Sequence, residues 1–396
     1  MLGIDRHPGA DRQASAAVIW LIGFFGFINL YSMQSILPLV SADFGASPLQ
    51  AGATVGATVL AVALVSPFMG MLSDALGRKI VICWSLFGLA VPTALIPLAH
   101  GLDSIVLLRF LQGLAIPGIV VTITAYIGEE FSGDQAARIT SVYMGGAVMG
   151  GFSGRFITGH ASHLLGWRGA FVTLVILNLI GAVVAVWRLP ASRRFVANAD
   201  PGQAFRTMAL HLRNPRLLAA CAVGFCVLFS LVGSFTYVNF LLAAPPFELS
   251  AAGLANIFCV YLLGVVITPL AGRFIVRFGF LHALLIALGI SSLGIATTLM
   301  PTLTAVIAGL AICSSGVFIC QAATISFIAR HVPSGRSSAS GLYYLAYYAG
   351  GAAGTGIGGL AFEAWAWQGT VMAMILVQAL AGAIAWFGWR APGTAG

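Results

Sequence analysis

Charged residues are scarce in this chain of 396 residues: Asp, Glu, Lys and Arg make up 8% of it, and only 11 residues are acidic. Soluble domains carry about a quarter charged residues, so the composition excludes an ordinary soluble protein. Hydrophobic residues make up 59% of the sequence, and the mean hydropathy is +0.98. We therefore predict a polytopic membrane protein.

Signatures of catalysis, cofactor binding and metal binding are missing as well. The sequence has no phosphate-binding loop of the G-x-x-x-x-G-K-[ST] type, which argues against ATP-driven pumping, and no nucleophile–base pattern. All six cysteines lie in apolar stretches without metal-site spacing, so we expect packing residues and no disulfides. His160 and His163 form a pair without a third metal ligand. We expect no enzyme activity, no cofactor and no metal.

Long apolar segments dominate the rest of the sequence. A helix needs about 20 apolar residues to cross a bilayer. Twelve segments, called span one to span twelve below, meet this requirement: 16–40, 50–72, 80–99, 104–128, 138–161, 168–189, 216–243, 251–272, 280–300, 302–329, 337–362 and 368–389. The first is too long for the core of a signal peptide, so we expect it to be a true span.

The longest polar stretch, residues 190–215, separates the sixth span from the seventh. We expect it to be a cytoplasmic linker between an N-terminal bundle, residues 1–189, and a C-terminal bundle, residues 216–396. Loops rich in Lys and Arg stay in the cytoplasm. With the N-terminus inside, 16 of the 19 basic residues fall on the inner side. We therefore predict a bacterial inner-membrane protein with both termini in the cytoplasm.

The same distribution explains the net charge of +8 without a nucleic-acid partner. The positive charge anchors the inner face of the protein in the membrane. The partners that we expect are the lipid bilayer, a small-molecule substrate and protons, and we expect a functional monomer.

The two halves of the sequence resemble each other. The pattern G-G-x-x-G at residues 150–154 recurs 200 residues later at residues 350–354, and Tyr143 recurs as Tyr343. Matches at one offset indicate an internal repeat. Parallel six-span repeats build one large transporter fold, with the substrate site between the halves. We predict an all-α membrane protein whose 12 transmembrane helices form two pseudo-symmetric six-helix bundles.

The connection between spans two and three carries the most specific motif. Its sequence from residue 70 to residue 82, GMLSDALGRKIVI, resembles the loop signature of the major facilitator superfamily, G-x-L-a-D-r-x-G-r-k. The matching residues are Gly70, Leu72, Asp74, Gly77, Arg78 and Lys79. Together with the span count, the linker and the repeat, the resemblance covers the whole chain.

The resemblance implies a gating role for this loop. Gly77 permits a tight turn, and Gly70 permits close helix contact. In family members the aspartate that corresponds to Asp74 lies near the N-terminus of span eleven, where the helix dipole favours a carboxylate. We expect this contact to hold the inner ends of the two halves together. The alternative is that Asp74, Arg78 and Lys79 are solvated loop charges.

Span four contains Arg109 and Gln112 in a segment that resembles the R-x-x-Q-G motif of drug and sugar transporters in the superfamily. Arg109 lies six residues after Asp103, or about 9 Å along a helix. The resemblance implies that this motif takes part in proton coupling, since a fixed positive charge lowers the pKa of nearby acids. The alternative is that Arg109 extends to the outer headgroups.

Span five carries a row of glycines that ends in an arginine. Gly146, Gly150 and Gly154 match the antiporter motif g-x-x-x-G-P-x-x-G-G, while Gly151 and Arg155 replace its proline and last glycine. Glycines four residues apart let two helices pack closely. This motif marks exporters. The resemblance, which extends to bacterial drug and arabinose-type efflux permeases, therefore implies efflux.

Arg155 lies 17 residues after Arg138, about 26 Å along the helix and thus in the outer part of the membrane. Arg109 and Arg155 lie on neighbouring helices and repel each other in a medium of low dielectric constant. We expect an anion, a carboxylate or water between them, and Asp43, Asp103 and an anionic substrate are the candidates. The alternative is that Arg155 reaches the outer headgroups and only anchors the helix.

The expected substrate cavity has few charges. Spans one, seven, eight and ten have no charged residue in their interiors. Besides Arg155, the residues that we expect to line the cavity and contact substrate are Asn29, Tyr31, Gln34, Tyr237, Asn239, Tyr261, Gln321, Tyr343 and Tyr347. Such a lining suits neutral amphiphiles, sugars or organic anions better than dications. The proton carrier stays open, with Asp74, Glu129 and Glu130 as candidates.

Two transport functions fit these features. The first is proton-coupled efflux of drugs, sugars or metabolites by alternating access. The second is exchange or uptake of an organic anion that binds Arg109 and Arg155. A sensor or scaffold that has lost transport fits less well, because the gating motif is intact and no large soluble domain is present to transmit a signal.

The predicted topology can be tested in the linker. A single cysteine placed near Asp200, in a variant without the six native cysteines, should react with a membrane-impermeant maleimide only in inside-out vesicles. Labelling of intact cells at this position would overturn the predicted orientation.

Overall fold

The structure is a computed structural model that describes residues 14–192, 206, 208–332 and 336–390. All regular elements in this part of the chain are helices. Most of the predicted linker, residues 190–215, lies outside the described residues, as do residues 1–13 and 391–396.

The helices of the first half follow the predicted spans, except that span one is broken. In chain order they are Ala16–Phe27, the 3₁₀ turn Gln34–Ile36 and Leu37–Phe44 in span one, Pro48–Leu76, Arg78–Leu95 with the 3₁₀ turn Ile96–Leu98, Leu102–Glu130, and Gly133–Arg188 for spans five and six. A non-helical backbone at Gly166, with φ of 71°, separates spans five and six.

The second half repeats this arrangement, and here span eight is broken. Its helices are Pro215–Ala243, Ala251–Ile257 with the 3₁₀ segment Phe258–Leu262, Leu263–Thr297 for the rest of span eight and span nine, Leu303–His331, and Arg336–Gly388 for spans eleven and twelve. Non-helical backbone at Gly279 divides spans eight and nine, and Trp365 and Ala366 divide spans eleven and twelve.

Twelve spans follow from these helices. Eight helices in the described part of the chain are long and apolar enough to cross a membrane. Two of them, Gly133–Arg188 with 56 residues and Ser338–Gly388 with 51, have at least twice the length that a bilayer requires, so each supplies two spans. The two broken spans, one and eight, are built from shorter apolar helices and complete the predicted set.

Glycines allow close helix contacts in both halves. A Cβ atom at Gly146, Gly150 or Gly154 would overlap the backbone of span one at residues 20, 24 and 28. In the second half Gly350 and Gly354 meet the backbone of span seven at residues 225 and 229 in the same way. The sequence repeat is therefore also a repeat of packing, in which span five fits against span one and span eleven against span seven.

The two halves meet at the end of the bundle that is predicted to face outward, called the outer end below. Gln34 of span one donates a hydrogen bond of 3.0 Å to Thr236 of span seven. His160 of span five lies 2.9 Å from the Asn256 side chain of span eight. Gly159 leaves room for only the backbone and small side chains of span eight. The structure is closed at this end.

The glycine contact gives a matched pair of variants at adjacent positions. Gly150→Ala places a methyl group against the Phe24 carbonyl, whereas a Cβ at Gly151 lies 3.8 Å from the Arg155 side chain and meets no other helix. Overpacking costs about 1–3 kcal/mol. We expect Gly150→Ala to lower the unfolding temperature in detergent, and Gly151→Ala to leave it unchanged or raise it. Equal effects of the two changes would contradict the packing described here.

Candidate functional site

Two arginines of the N-terminal half are buried inside the protein. The side chains of Arg109 and Arg155 are 0% and 1% exposed and are the largest fully buried side chains in the described residues. This burial excludes the alternative in which they extend to the outer headgroups. A buried cation in a membrane protein needs polar partners, because its desolvation is costly.

Arg109 binds the break in span one. Its guanidinium group donates hydrogen bonds to the backbone oxygens of Asn29 at 2.8 Å, Leu30 at 2.9 Å and Thr54 at 3.2 Å. Asn29 and Leu30 both follow the end of Ala16–Phe27. The Leu30 carbonyl accepts no backbone N–H among the described residues, whereas the Asn29 carbonyl also accepts from the Ser32 backbone N–H at 3.4 Å and from the Ser32 hydroxyl at 3.1 Å. A cation at a helix C-terminus also interacts favourably with the helix dipole. Arg109 therefore holds the chain between the two helical parts of span one.

A chain of neutral side chains surrounds this contact. Gln112 accepts a hydrogen bond from Arg109 at 2.6 Å and donates one to Thr93 at 2.7 Å. Asn178 donates to Thr93 at 3.2 Å and accepts one from Asn29 at 2.7 Å. The network joins spans one, three, four and six, and it contains no carboxylate. Its members are satisfied by one another, as buried polar groups require.

Arg155 lies where the two halves meet. Its Nε atom donates to the Gln34 side chain at 2.7 Å, and its Nη1 atom donates to the Gly151 carbonyl at 2.7 Å. The guanidinium carbon lies 4.6 Å from the ring centre of Tyr31, 4.8 Å from that of Phe258 and 4.5 Å from that of Tyr261. Cation–π contacts with aromatic faces stabilise a desolvated cation. Arg155 thus binds residues of span one in its own half and of span eight in the other.

Neither of the candidate carboxylates, Asp43 and Asp103, lies between the two arginines, so both candidates are wrong. The Asp43 carboxylate accepts hydrogen bonds from the Trp167 indole at 2.9 Å and from Arg168 at 3.0 Å at the outer surface. These donors, the indole first, lower the pKa of Asp43 below its usual value. Asp103 is exposed. Backbone carbonyls and aromatic rings replace a carboxylate at the arginines, so their charge is solvated but not neutralised.

The loop that resembles the superfamily signature takes part in a cluster of charged groups at the inner end. Arg78 pairs with Asp74 and, at 2.6 Å, with Glu129 of span four. Ser192 donates a hydrogen bond of 2.9 Å to Glu130. The predicted contact of Asp74 with the start of span eleven stays a prediction. Residues 333–335, which precede this helix, lie outside the described residues.

The two glycines of this loop differ in their roles. Gly77 has a φ of 96°, in the region that favours glycine, as its predicted turn requires. The predicted close helix contact at Gly70 is wrong, because no atom lies within 4 Å of the position of its missing Cβ. Lys79 is half-buried.

The residues predicted to line a cavity separate into two groups. Only Tyr31, Gln34 and Tyr261 contact Arg155. The others lie elsewhere: Asn29 in the buried network, Tyr237 donating to the Thr355 carbonyl, Asn239 donating to the Phe235 carbonyl of its own helix, Gln321 half-buried in span ten, and Tyr343 and Tyr347 stacked on each other in span eleven.

Sequence reasoning missed two members of the site. Phe258 contacts the Arg155 guanidinium, and Thr236 accepts the hydrogen bond that Gln34 donates from the other half. An apolar aromatic residue in an apolar span gives no signal in a single sequence. The broken helix that presents Phe258 and Tyr261 to the interface could not be distinguished from a continuous one by composition.

Comparisons with known proteins agree with this architecture. The family model of the Major Facilitator Superfamily matches residues 19–355. The inner membrane transport protein YnfM of Escherichia coli is 30% identical over 361 residues, covering 90% of this chain and 87% of that protein. The uncharacterized MFS-type transporter YybF of Bacillus subtilis is 29% identical over 350 residues, covering 88% and 87%.

Solved structures share the fold. A nucleoside transporter, NupG, superposes with a TM-score of 0.80 at 15% sequence identity, covering 95% of this chain and 100% of that chain. A bacterial homologue of the human lysosomal transporter Spinster gives a TM-score of 0.77 at 18% identity, covering 95% and 96%. On the fold, the repeat and the family match, this chain belongs to the major facilitator superfamily and is a membrane transporter.

Proposed function

We propose that this transporter carries a small organic anion by alternating access and that Arg155 binds the anionic group. The observation that carries the proposal is a wholly buried cation at the contact between the halves without a carboxylate partner among the described residues. In this fold the substrate site lies between the repeats. A substrate carboxylate would supply the negative charge that Arg155 lacks among the described residues.

The geometry of the guanidinium group favours Arg155 over Arg109 for this role. Arg109 directs Nε, Nη1 and Nη2 at oxygen atoms of its own half. Arg155 uses Nε and Nη1, and the described residues offer its Nη2 atom no hydrogen-bond acceptor. Charge-assisted bonds from arginine to a carboxylate are strong and often bidentate. Arg109 then acts by positioning span one, which presents Tyr31 and Gln34 to the site.

A second candidate function is proton-coupled efflux of drugs, sugars or metabolites. The glycine face of span five favours it, because Gly146, Gly150 and Gly154 pack on span one as the exporter motif requires. The candidate proton carriers Asp74 and Glu129 pair with Arg78 at the inner end. For either function we place the protein in the bacterial inner membrane as a monomer, with both termini in the cytoplasm.

The anion proposal is tested by removing one charge. Arg155→Gln keeps a polar side chain but loses the cation, and hydrogen bonds to charged groups contribute about 1.5–3 kcal/mol. We expect transport of carboxylates by proteoliposomes to fall about tenfold or more, and transport of the matching neutral carboxamides to change little. Carboxylates and their amides form the test panel.

Arg168→Gln is the control for this experiment, because Arg168 is 46% exposed and pairs with Asp43 at the surface. It should leave the ratio of acid to amide transport unchanged. Equal loss of acids and amides in Arg155→Gln would assign Arg155 a structural role and reject the anion site.

The variant Arg109→Lys distinguishes two roles of Arg109, the positioning of span one and proton coupling. Lysine keeps the charge but cannot reproduce the planar fork that binds several carbonyls at once. Each buried group left unsatisfied costs about 1–3 kcal/mol. We expect a lower unfolding temperature and slower transport of acids and amides alike, with an unchanged pH optimum. A shifted pH optimum at normal stability would instead support the proton-coupling role.

A further inference from the structure

The first turn of span two is capped by residues from both halves of the protein. Gln50 donates its backbone N–H to the Ser47 side chain, and the Ser47 N–H is bound by the Gln50 side chain at 2.9 Å. Pro48 has no N–H group. The remaining donor, the N–H of Leu49, is bound at 3.3 Å by the carboxylate of Glu363, at the outer end of span eleven.

This contact differs from an ordinary helix cap because its two partners belong to different halves. Leu49 lies in the N-terminal half and Glu363 in the C-terminal half. The helix N-terminus attracts the carboxylate both by its free N–H and by its dipole. Neither group keeps this partner when the halves separate at the outer end. The interaction therefore has different energies in the two states of an alternating-access cycle, which is the condition for a gating interaction.

We propose that Glu363 is a gating residue that stabilises the outward-closed state by capping span two. The proposal rests on alternating access in the proposed function, but it does not depend on the substrate. Neighbouring contacts support it. Phe362 stacks on Tyr237 with ring centres 5.7 Å apart, and the Tyr237 hydroxyl reaches the Thr355 carbonyl of span eleven. The carboxylate thus lies above a packed aromatic layer that closes the outer end.

The antiparallel arrangement of spans two and eleven gives this residue a counterpart. Each helix has a carboxylate at its C-terminal end, Glu363 on span eleven and Asp74 on span two. Each carboxylate lies at the end of the bundle where the other helix begins. In the outward-closed state described here Glu363 binds span two, whereas Asp74 binds Arg78 of its own half. The predicted contact of Asp74 with the start of span eleven would favour the opposite state.

The test measures access from the outside. Thr355 is 3% exposed, below the aromatic layer, and Thr355→Cys in a variant without native cysteines reports opening of the outer end. A surface contact with a helix dipole shifts a two-state equilibrium about two- to five-fold. In right-side-out vesicles we expect Glu363→Gln to raise the rate of labelling by an impermeant maleimide by that factor, and Glu363→Ala to raise it at least as much.

Matched variants make the result specific. Glu248→Gln removes another exposed acid at the outer end and should leave the labelling rate unchanged. Asp74→Asn should lower the rate, since it weakens the opposite contact. Unchanged labelling in both Glu363 variants, with normal unfolding temperatures, overturns the gating role. A shift in labelling together with equal transport of acids and amides by Arg155→Gln would reject the anion site and leave the gate supported.

Discussion

The contact between Arg109 and the broken part of span one is the interaction on which the candidate site depends. Asn29 and Leu30 lie where the helix ends. Without the guanidinium group the Leu30 carbonyl would be unpaired in the membrane interior, and the Asn29 carbonyl would keep only Ser32 as its donor. Unpaired backbone groups are costly in lipid. The arginine therefore makes a non-helical segment possible at this depth, and that segment directs Tyr31 and Gln34 toward Arg155.

The charge of Arg155 is stabilised without being neutralised. Aromatic faces and neutral oxygens lower the cost of burying it, yet the described residues supply no anion. The aromatic partners come from both halves, since Tyr31 lies in span one and Phe258 and Tyr261 lie in span eight. Opening of the outer end must therefore change the surroundings of the cation. If Arg155 binds the substrate as proposed, occupancy of the site depends on the relative position of the two halves.

The internal repeat explains the packing, and the proposed anion site lies at a departure from it. Spans five and eleven use the same glycine rows against spans one and seven. Arg155 corresponds to Thr355, and both lie at contacts between the halves, the first against span eight and the second against Gly56 of span two. The same position thus carries a charge on one side of the molecule and a small neutral side chain on the other. The backbone of the two halves is therefore repeated, whereas the charge at this position is not.

The membrane class, the twelve spans and the superfamily could be predicted from the amino-acid sequence, because hydrophobic length, glycine spacing and the loop motif are local properties. The same sequence identified Arg109, Gln112, Arg155, Tyr31 and Gln34 as candidates. Which of these side chains contact one another could be read only from the packed helices. Asp43 binds Trp167 and Arg168 at the surface instead of the buried arginines, and Tyr237 packs between spans. These outcomes depend on helix rotation and on the breaks in spans one and eight, which place residues far apart in sequence within contact distance.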